Sequence, residues 1–290
     1  MALMEQILQL MINGAALSSI IALGAVGLTL TYGILRLSNF AHGDLMTVGA
    51  YLTLFANSLG LNIWLSMLLG IGGTIAIVLL TEQLIWAPMR SRRADSATLI
   101  IISIGLALFL RNGVILLWGG GNQTYDLPVA PAFRLGALRI PQYDLLVMVF
   151  VIITMIALHY LFQTTKLGKA MRAVADDLDL ARVAGINVEH VVFWTWIIAG
   201  GLAAIAGGML GLIEAVRPNM GWFLILPMFA AVILGGVGNP YGAIAGAFVI
   251  GISQELSTLP LRAEYKLAVA LIIMMLVLLF RPQGLFKGTG

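Results

Sequence analysis

Long runs without a charged residue constrain this chain more than any other feature. No charge occurs between Glu5 and Arg36, and none from Leu45 to Thr81. About 20 apolar residues let a helix cross a hydrocarbon core of ~30 Å. Charged residues make up only 10 % of the chain, against roughly 25 % in soluble domains. The sequence therefore predicts an all-α polytopic integral membrane protein, with residues 1–290 forming a single transmembrane domain.

Apolar segments can be placed along the whole chain, and three of them are close to the minimum spanning length. The short segment 43–58 either crosses the bilayer or re-enters it, which leaves eight or nine transmembrane or re-entrant helices and leaves the side of the N-terminus open. The nine segments are 10–34, 43–58, 62–87, 97–118, 144–163, 190–213, 222–236, 241–257 and 261–280.

Basic residues between the segments indicate which loops face the cytoplasm, because cytoplasmic loops are enriched in Lys and Arg. Arg90, Arg92 and Arg93 lie in the loop 87–96, and Arg281 and Lys287 lie in the C-terminal tail. The loop 119–143 is rich in Gly and Pro, contains strand-like pieces and is expected to be external. This arrangement predicts a cytoplasmic C-terminus.

The segment 164–190 is the most polar part of the chain and must lie in water. Apolar residues recur at three- and four-residue intervals from Lys169 to Val183, which predicts an amphipathic helix, and Gly185 stands where a helix C-terminus is expected. Its basic start indicates the cytoplasm. From these residues alone, a helix presented to a partner and a solvated loop helix are both open.

Motifs for catalysis or cofactor binding are absent from the sequence. There is no cysteine, no GxxxxGK[ST] phosphate loop and no GxSxG element, and His42, His159 and His190 are scattered. We therefore predict that the chain is not an enzyme and binds no cofactor or metal itself.

Polar residues inside the membrane are the remaining candidates for function, because burying them in a bilayer is costly. Asn39, His42 and Asp44 lie between two membrane segments, where a functional site is favoured over a structural hinge. Glu82, Glu214 and Glu255 lie close to the ends of spans, and we expect their side chains to reach the interface.

Glycine-rich positions mark a second candidate region. The link 235–242 divides an uncharged stretch into two short segments, and such breaks in transporters line a cavity. Gly235, Gly236 and Gly238 are therefore candidate pathway residues, with a plain tight turn as the alternative. The pairs Gly207/Gly211 and Gly242/Gly246 have the GxxxG spacing that lets helices approach closely.

Four stretches of the chain, in the expected order, resemble the LivH-type permease of branched-chain amino acid ABC importers. They are LRLSNFAHGDLMTVGAYLT (35–53), GKAMRAVADDLDLARVAGINVEHV (168–191), FAAVILGGVGNPYGAIAGAFVIG (229–251) and FRPQGLF (280–286). The resemblance implies a permease subunit in a bacterial plasma membrane that carries branched-chain or other neutral amino acids by alternating access. It also implies two ABC ATPase subunits that bind ATP and Mg²⁺, a longer LivM-like second permease forming a heterodimer, and a periplasmic amino-acid-binding protein.

By this resemblance the polar helix couples the permease to an ATPase. It is related to the EAA loop of ABC permeases, although Arg172-Ala173-Val174 stands where that loop usually has its glutamate. Asn39 or Asp44 would serve the ammonium of the substrate, and helix N-termini its carboxylate. The coupling residues implied are Lys169, Arg172, Ala173, Asp177, Arg182 and Gly185.

Other functions remain open at this level. Relatives of this family carry urea or short amides, which changes only the substrate. A stand-alone channel or secondary carrier would be expected to show a carboxylate in mid-span, and a structural scaffold fits poorly with the polar insert at 38–44.

Overall fold

The computed structural model describes residues 2–128, 130–136 and 138–286, so Lys287 lies outside the described residues. Its apolar helices are α1 (Ala2–Leu35), α2 (Ala41–Ser58), α3 (Ile63–Thr81), α5 (Ser96–Trp118), α6 (Gln142–Thr164), α9 (Val188–Ile213), α10 (Met220–Gly235), α11 (Pro240–Leu256) and α12 (Lys266–Phe280). The shorter elements are a π-helix (Glu82–Trp86), α4 (Ala87–Ser91), strands β1 (Ala132–Leu135) and β2 (Leu138–Pro141), α7 (Lys166–Asp176), α8 (Leu178–Val183) and a 3₁₀ turn (Ala263–Tyr265).

Each of the nine apolar segments predicted from the sequence forms a helix, and the polytopic all-α class is confirmed. Within the described residues, six helices are long and apolar enough to cross a membrane, whereas α2, α10 and α11 are 16 to 18 residues long. The six are Leu3–Leu35, Ile63–Ser91, Ser96–Trp118, Gln142–Thr164, Val188–Ile213 and Ala263–Phe280.

The helices divide into a buried centre and an apolar periphery. In the apolar 18-residue stretch of each helix, 78 % of the residues are buried in α9 and 67 % in α1, and most of α2 and α10 is buried between these two helices. In the corresponding stretches of α6 and α12, only 17 % and 6 % of the residues are buried. Side chains such as those of α12 therefore face outward, where lipid or another apolar surface must cover them.

Small residues bring the central helices together. A Cβ atom on Gly207 of α9 would overlap the carbonyl oxygen of Met46 in α2, and one on Gly246 of α11 would overlap the carbonyl oxygen of Ala231 in α10. Gly242 likewise packs directly on the backbone of Gly235. Gly207, Gly242 and Gly246 therefore lie at helix contacts, as their spacing predicted, whereas Gly211 packs against the side chain of Tyr125 in the loop after α5.

Two opposite faces of the bundle can be defined from contacts between loops. On the first, the hairpin face, β1 pairs with β2 in antiparallel register, and the side chain of Gln9 in α1 hydrogen bonds to the backbone of Arg139. The end of α2 lies there too, because Asn57 Oδ1 accepts a hydrogen bond from the Asp126 amide at 2.7 Å. On the second, the polar-helix face, Arg36 at the end of α1 donates to the carbonyl oxygen of Ala175 in α7 at 3.4 Å. Thus α1 runs from the hairpin face to the polar-helix face, and α2 returns.

The predicted loop at 87–96 is shorter than expected. The chain stays helical from α3 through the π-helix into α4, so that only 92–95 connect it to α5. Asp95 caps α5 by accepting a hydrogen bond from the Thr98 amide at 3.2 Å, and hydrogen bonds from Thr98 lower the pKa of the Asp95 carboxyl. Near this end Trp86 stacks on Trp196 of α9, with ring centroids 6.1 Å apart, and both indoles are buried.

Candidate functional site

The polar insert between α1 and α2 is a short non-helical link followed by the first turn of α2. Arg36 adopts a left-handed conformation with φ of 52° and ends α1. Asn39 is fully buried, and its Oδ1 accepts a hydrogen bond from the Ala41 amide at 3.1 Å, which starts the helix. The Asn39 Nδ2 has no partner among the described residues. The link therefore places an unpaired hydrogen-bond donor, Asn39 Nδ2, in the centre of the bundle.

Asp44 forms a buried ion pair with Arg111 of α5. Arg111 Nε donates to Asp44 Oδ1 and Arg111 Nη2 to Oδ2, both at 2.9 Å, and the side chains are 15 % and 0 % exposed. The guanidinium also lies 4.5 Å from the ring centre of Trp222 in α10. The pair thus ties together α2, α5 and α10. Sequence reasoning missed Arg111, although a lone charge inside an apolar span signals an opposite charge nearby.

His42 packs tightly against α1 in the same turn of α2. Its ring lies where Gly27 has no side chain, since a Cβ there would be 2.8 Å from Cε1. The imidazole is 1 % exposed, and its Nε2 is unpaired within the part of the chain that the structure describes. Among the described residues of the insert, His42 and Asn39 are therefore the two with a buried side-chain atom that has no hydrogen-bond partner.

The first turns of α2 and α10 meet without intervening side chains. A Cβ atom on either Gly43 or Gly221 would overlap the carbonyl oxygen of the other. The Gly221 amide donates to Thr47 Oγ1 at 3.1 Å. The ends of two short helices thus come together in the buried centre.

The glycine link 236–239 joins α10 to α11 on the polar-helix face. Gly236 and Gly238 have φ of 104° and 87°, conformations that favour glycine. The Gly238 amide donates to Thr29 Oγ1 of α1 at 2.9 Å, and the Leu285 amide of the tail donates to the Leu234 carbonyl oxygen at 2.8 Å. The link is a tight turn, and Gly238 also lines a cavity, while its place in a transport pathway stays a prediction.

This cavity has a volume of about 90 Å³ and lies between the ends of α1, α6, α7 and α11. Gly238 lines one side and Arg172 of α7 lines the other, together with Gln163 and Tyr241. The structure therefore brings together one predicted pathway residue and one predicted coupling residue, which are 66 positions apart in the sequence.

The polar segment is not the single helix that periodicity predicted from Lys169 to Val183. It breaks at Asp177, whose φ and ψ are −151° and 111° and whose carboxylate accepts a hydrogen bond from the Leu180 amide at 2.9 Å. An aspartate that caps the next helix in this way competes with continuation of the first. The expected end at Gly185 is confirmed: its φ is 84°, and the Ile186 amide donates to the Ala181 carbonyl oxygen in a Schellman arrangement.

The coupling candidates lie mostly on the exposed side of α7 and α8. Met171 and Val174 point inward, and Gly168 packs directly on the backbone of α6. Of the candidates, Ala173 is partly buried, while the exposed ones are Lys169, Arg172, Asp177, Arg182 and Gly185.

A chain of hydrogen bonds leads from α7 to the start of α11. Arg172 Nη1 donates to Gln163 Oε1 at 2.9 Å, and Gln163 Nε2 donates to the hydroxyl oxygen of Tyr241 at 3.3 Å. His159 Nδ1 lies 2.9 Å from the same hydroxyl. Tyr241 is the second residue of α11 and follows the glycine link. Sequence reasoning missed Gln163 and Tyr241, because no local pattern relates α6 to α11.

Apolar side chains are exposed on α8, in a segment too polar to lie in lipid. Leu180 and Val183 are 67 % and 86 % exposed. The two lie three residues apart on one side of α8, so they could contribute to a contact with another protein.

Comparison with known proteins places the chain in a family. Residues 10–278 match the family described as the permease component of the branched-chain amino acid transport system. The chain belongs to this family. It is 32 % identical to the high-affinity branched-chain amino acid transport system permease protein LivH of Escherichia coli K12, over 96 % of this chain and 94 % of that protein. It is 34 % identical to a probable branched-chain amino acid transport permease protein LivH of Methanocaldococcus jannaschii, over 96 % and 92 %.

A solved structure shares the fold alone. PsaBC from Streptococcus pneumoniae, determined in complex with a Fab, has a TM-score of 0.53 and 14 % identity, covering 96 % of this chain and 92 % of that one. The family is a class of multi-pass transport permeases and not of enzymes. The assignment does not favour the urea, channel or carrier alternatives.

Proposed function

We propose that this chain is the membrane-spanning permease subunit of an ABC importer that moves branched-chain amino acids into the cell. The substrate class is supported by the family and by the names of its members. The observation that carries the mechanism is the hydrogen-bond chain from Arg172 to Tyr241, because it connects the exposed polar segment to the first turn of α11, next to the glycine link.

The energy for transport comes from partner subunits. Two ABC ATPase subunits bind ATP and Mg²⁺, and one of them docks on α7 and α8 of this chain, where Leu180 and Val183 offer exposed apolar contacts. A LivM-like second permease forms a heterodimer with this chain, and the exposed apolar faces of α6 and α12 support contact with it or with lipid. A periplasmic amino-acid-binding protein delivers the substrate.

The membrane is the bacterial plasma membrane, and the polar-helix face is cytoplasmic. Lys166, Lys169 and Arg172 support this orientation, because positive charge accumulates on the cytoplasmic side. The C-terminal tail is cytoplasmic too, since Leu285 pairs with Leu234 beside the glycine link on that face. The chain forms one transmembrane domain. Because α1 begins on the hairpin face, opposite the cytoplasmic face, the N-terminus of α1 lies outside.

ATPase closure acts through the coupling segment on α11. Lys169, Arg172 and Ala173 of α7 receive the movement, with Asp177, Arg182 and Gly185 setting the shape of α8. Because Arg172 bonds to Gln163 and Gln163 to Tyr241, displacement of α7 shifts the first turn of α11 and the adjoining glycine link. Gly235, Gly236 and Gly238 allow that link to move without side-chain clashes.

The pathway passes the first turn of α2. Asn39 and His42 offer polar atoms with no partner in the described chain, as a zwitterionic substrate requires. Both oxygens of Asp44 are bonded to Arg111, so a role for Asp44 toward the substrate ammonium requires α2 and α5 to separate during transport.

The test is isolation of the complex followed by uptake. The tagged chain, extracted in mild detergent, should bring down two ATPase subunits and a second permease, and cells should take up labelled leucine. Arg172→Glu should abolish uptake at equal membrane insertion, whereas Arg134→Glu on the exposed hairpin should leave it unchanged. A chain that purifies alone, or normal uptake by Arg172→Glu, would refute the proposal.

A further inference from the structure

An open cavity on the hairpin face contains charges of both signs and an apolar wall. Its volume is about 240 Å³, roughly eight times the share of one water molecule in the liquid. It lies between the ends of α9 and α11 and the starts of α10 and α12. Val216, which precedes Arg217 of the cavity, pairs with Gln123 of the external loop, and this places the cavity on the hairpin face.

Two ion pairs border the cavity. Arg217 Nη2 lies 2.8 Å from Glu214 Oε2, and Lys266 Nζ lies 2.5 Å from Glu255 Oε1. Sequence reasoning gave Glu214 and Glu255 no role beyond reaching the interface. The structure instead brings them to one cavity, each with a cation of its own.

Two polar atoms at the cavity are buried and unpaired. Gln254 is 4 % exposed, and its Nε2 donates to the Lys266 carbonyl oxygen at 3.1 Å, but its Oε1 accepts no hydrogen bond from any described residue. Arg217 Nε likewise finds no acceptor in the described part of the chain. One acceptor and one donor therefore stand unsatisfied in the wall of one cavity, and buried polar groups of this kind normally have partners.

Glu264 adds a third carboxylate to the lining, and most of the remaining wall is apolar, with Leu210 of α9, Leu224 and Pro227 of α10, and Leu17 of α1. A ligand that fits this cavity must donate a hydrogen bond to Gln254 Oε1, accept one from Arg217 Nε and place an apolar group against the apolar wall. An inorganic anion supplies no apolar surface, and a metal ion supplies neither an acceptor nor an apolar surface.

We propose that this cavity binds a free amino acid with an aliphatic side chain as its zwitterion, on the face where substrate arrives. The ammonium donates to Gln254 Oε1 beside Glu255, the carboxylate accepts from Arg217 beside Lys266, and the side chain packs on Leu210, Leu224 and Pro227. This inference rests on the proposed function, to which it adds an outer substrate site in the permease itself.

The first experiment measures binding of labelled leucine to the purified importer complex in the absence of the binding protein. Gln254→Leu and Arg217→Met should each weaken binding at least tenfold. Gln254→Glu, which keeps an acceptor oxygen at this position, should stay within about threefold of wild type. Arg262→Gln, an exposed charge next to the cavity, is the matched control and should bind normally.

The ligand series tests the zwitterion directly. 4-Methylpentanoate lacks the ammonium and isoamylamine lacks the carboxylate, so each should compete at least tenfold less well than leucine. Equal competition by either compound would overturn the assignment of its missing group.

A second measurement does not depend on variants of the polar residues. Because the chain has no cysteine, Phe223→Cys introduces a single thiol at the wall of the cavity. Leucine should slow its modification by a thiol reagent, while Phe133→Cys on the hairpin should react at the same rate with and without leucine. The site is refuted and the proposed function stands if the wild-type complex takes up leucine but two results are negative. These are leucine binding that the Gln254 and Arg217 variants do not change, and thiol modification of Phe223→Cys that leucine does not slow. If wild-type complex takes up no leucine, both are refuted.

Discussion

Replacement of Asp44 by asparagine should lower the free energy of unfolding by about 3–5 kcal/mol, which is the usual cost of removing one partner from a buried ion pair. The pair has two hydrogen bonds of 2.9 Å, and its side chains are 0 % and 15 % exposed, so solvent screening reduces the figure little. The asparagine leaves the Arg111 guanidinium charged and buried without a counter-charge. Trp222, at 4.5 Å, compensates only part of that loss.

The two halves of the pair should not be equivalent. An arginine cannot give up its proton in a protein, whereas an aspartate left alone can take one up and become neutral. Arg111→Met should therefore destabilise less than Asp44→Asn does. The double variant, which removes both charges, should recover most of the loss, because replacing a buried pair by neutral groups is often close to neutral.

Unfolding of the purified chain in mixed micelles, followed by tryptophan fluorescence as the denaturing detergent increases, measures these differences. Asp179→Asn is the matched control, because Asp179 and Arg182 are 3.9 Å apart and exposed, and such pairs contribute less than ~1 kcal/mol. Additive losses in the double variant, or a loss below ~1 kcal/mol for Asp44→Asn, would contradict the reasoning.

Three further predictions follow from single contacts. Tyr241→Phe removes the hydroxyl that joins α6 to α11, so uptake should fall several-fold while the ATPase activity of the complex persists; coupled loss of both activities would count against it. Gly207→Val should prevent assembly of the bundle, since a side chain there overlaps the Met46 carbonyl oxygen, and the amount of folded protein after extraction measures this. The Asp95 cap should stabilise α5 fully above ~pH 4 and progressively less as the pH falls through its lowered pKa. The difference in melting temperature between wild type and Asp95→Ala, measured from pH 7 to pH 2, should shrink accordingly.

The apolar helices were predictable because membrane crossing depends on a local property, the length of an uncharged run. Helix ends set by a single residue were also predictable where that residue is distinctive, as at Gly185. The break at Asp177 was not predicted, because the apolar period continues through it and only the capping bond to Leu180 overrides that period.

The features that could not be predicted from the sequence depend on contacts between distant segments. Arg111 was hidden within a strongly apolar helix, and its meaning depends on Asp44, 67 positions earlier. Gln163 and Tyr241 are ordinary residues in the sequence and become a connection only when α6 and α11 pack together. The charges at Glu214 and Glu255 were recognised but judged one at a time, whereas each is paired with a cation of its own and both border one cavity.

Helix α11 offers a physical route between the two ends of the proposed transport path. Its second residue, Tyr241, lies in the hydrogen-bond chain on the polar-helix face, and Gln254, near its last turn, lies in the cavity on the hairpin face. Over 17 residues an α-helix spans about 25 Å. The backbone contacts of Gly251 with Ser18 and of Gly242 with Gly235 leave little room for it to bend. We therefore expect a displacement at Tyr241 to be transmitted along α11 to Gln254, and linkage then predicts that the proposed ligand at Gln254 biases the position of α7.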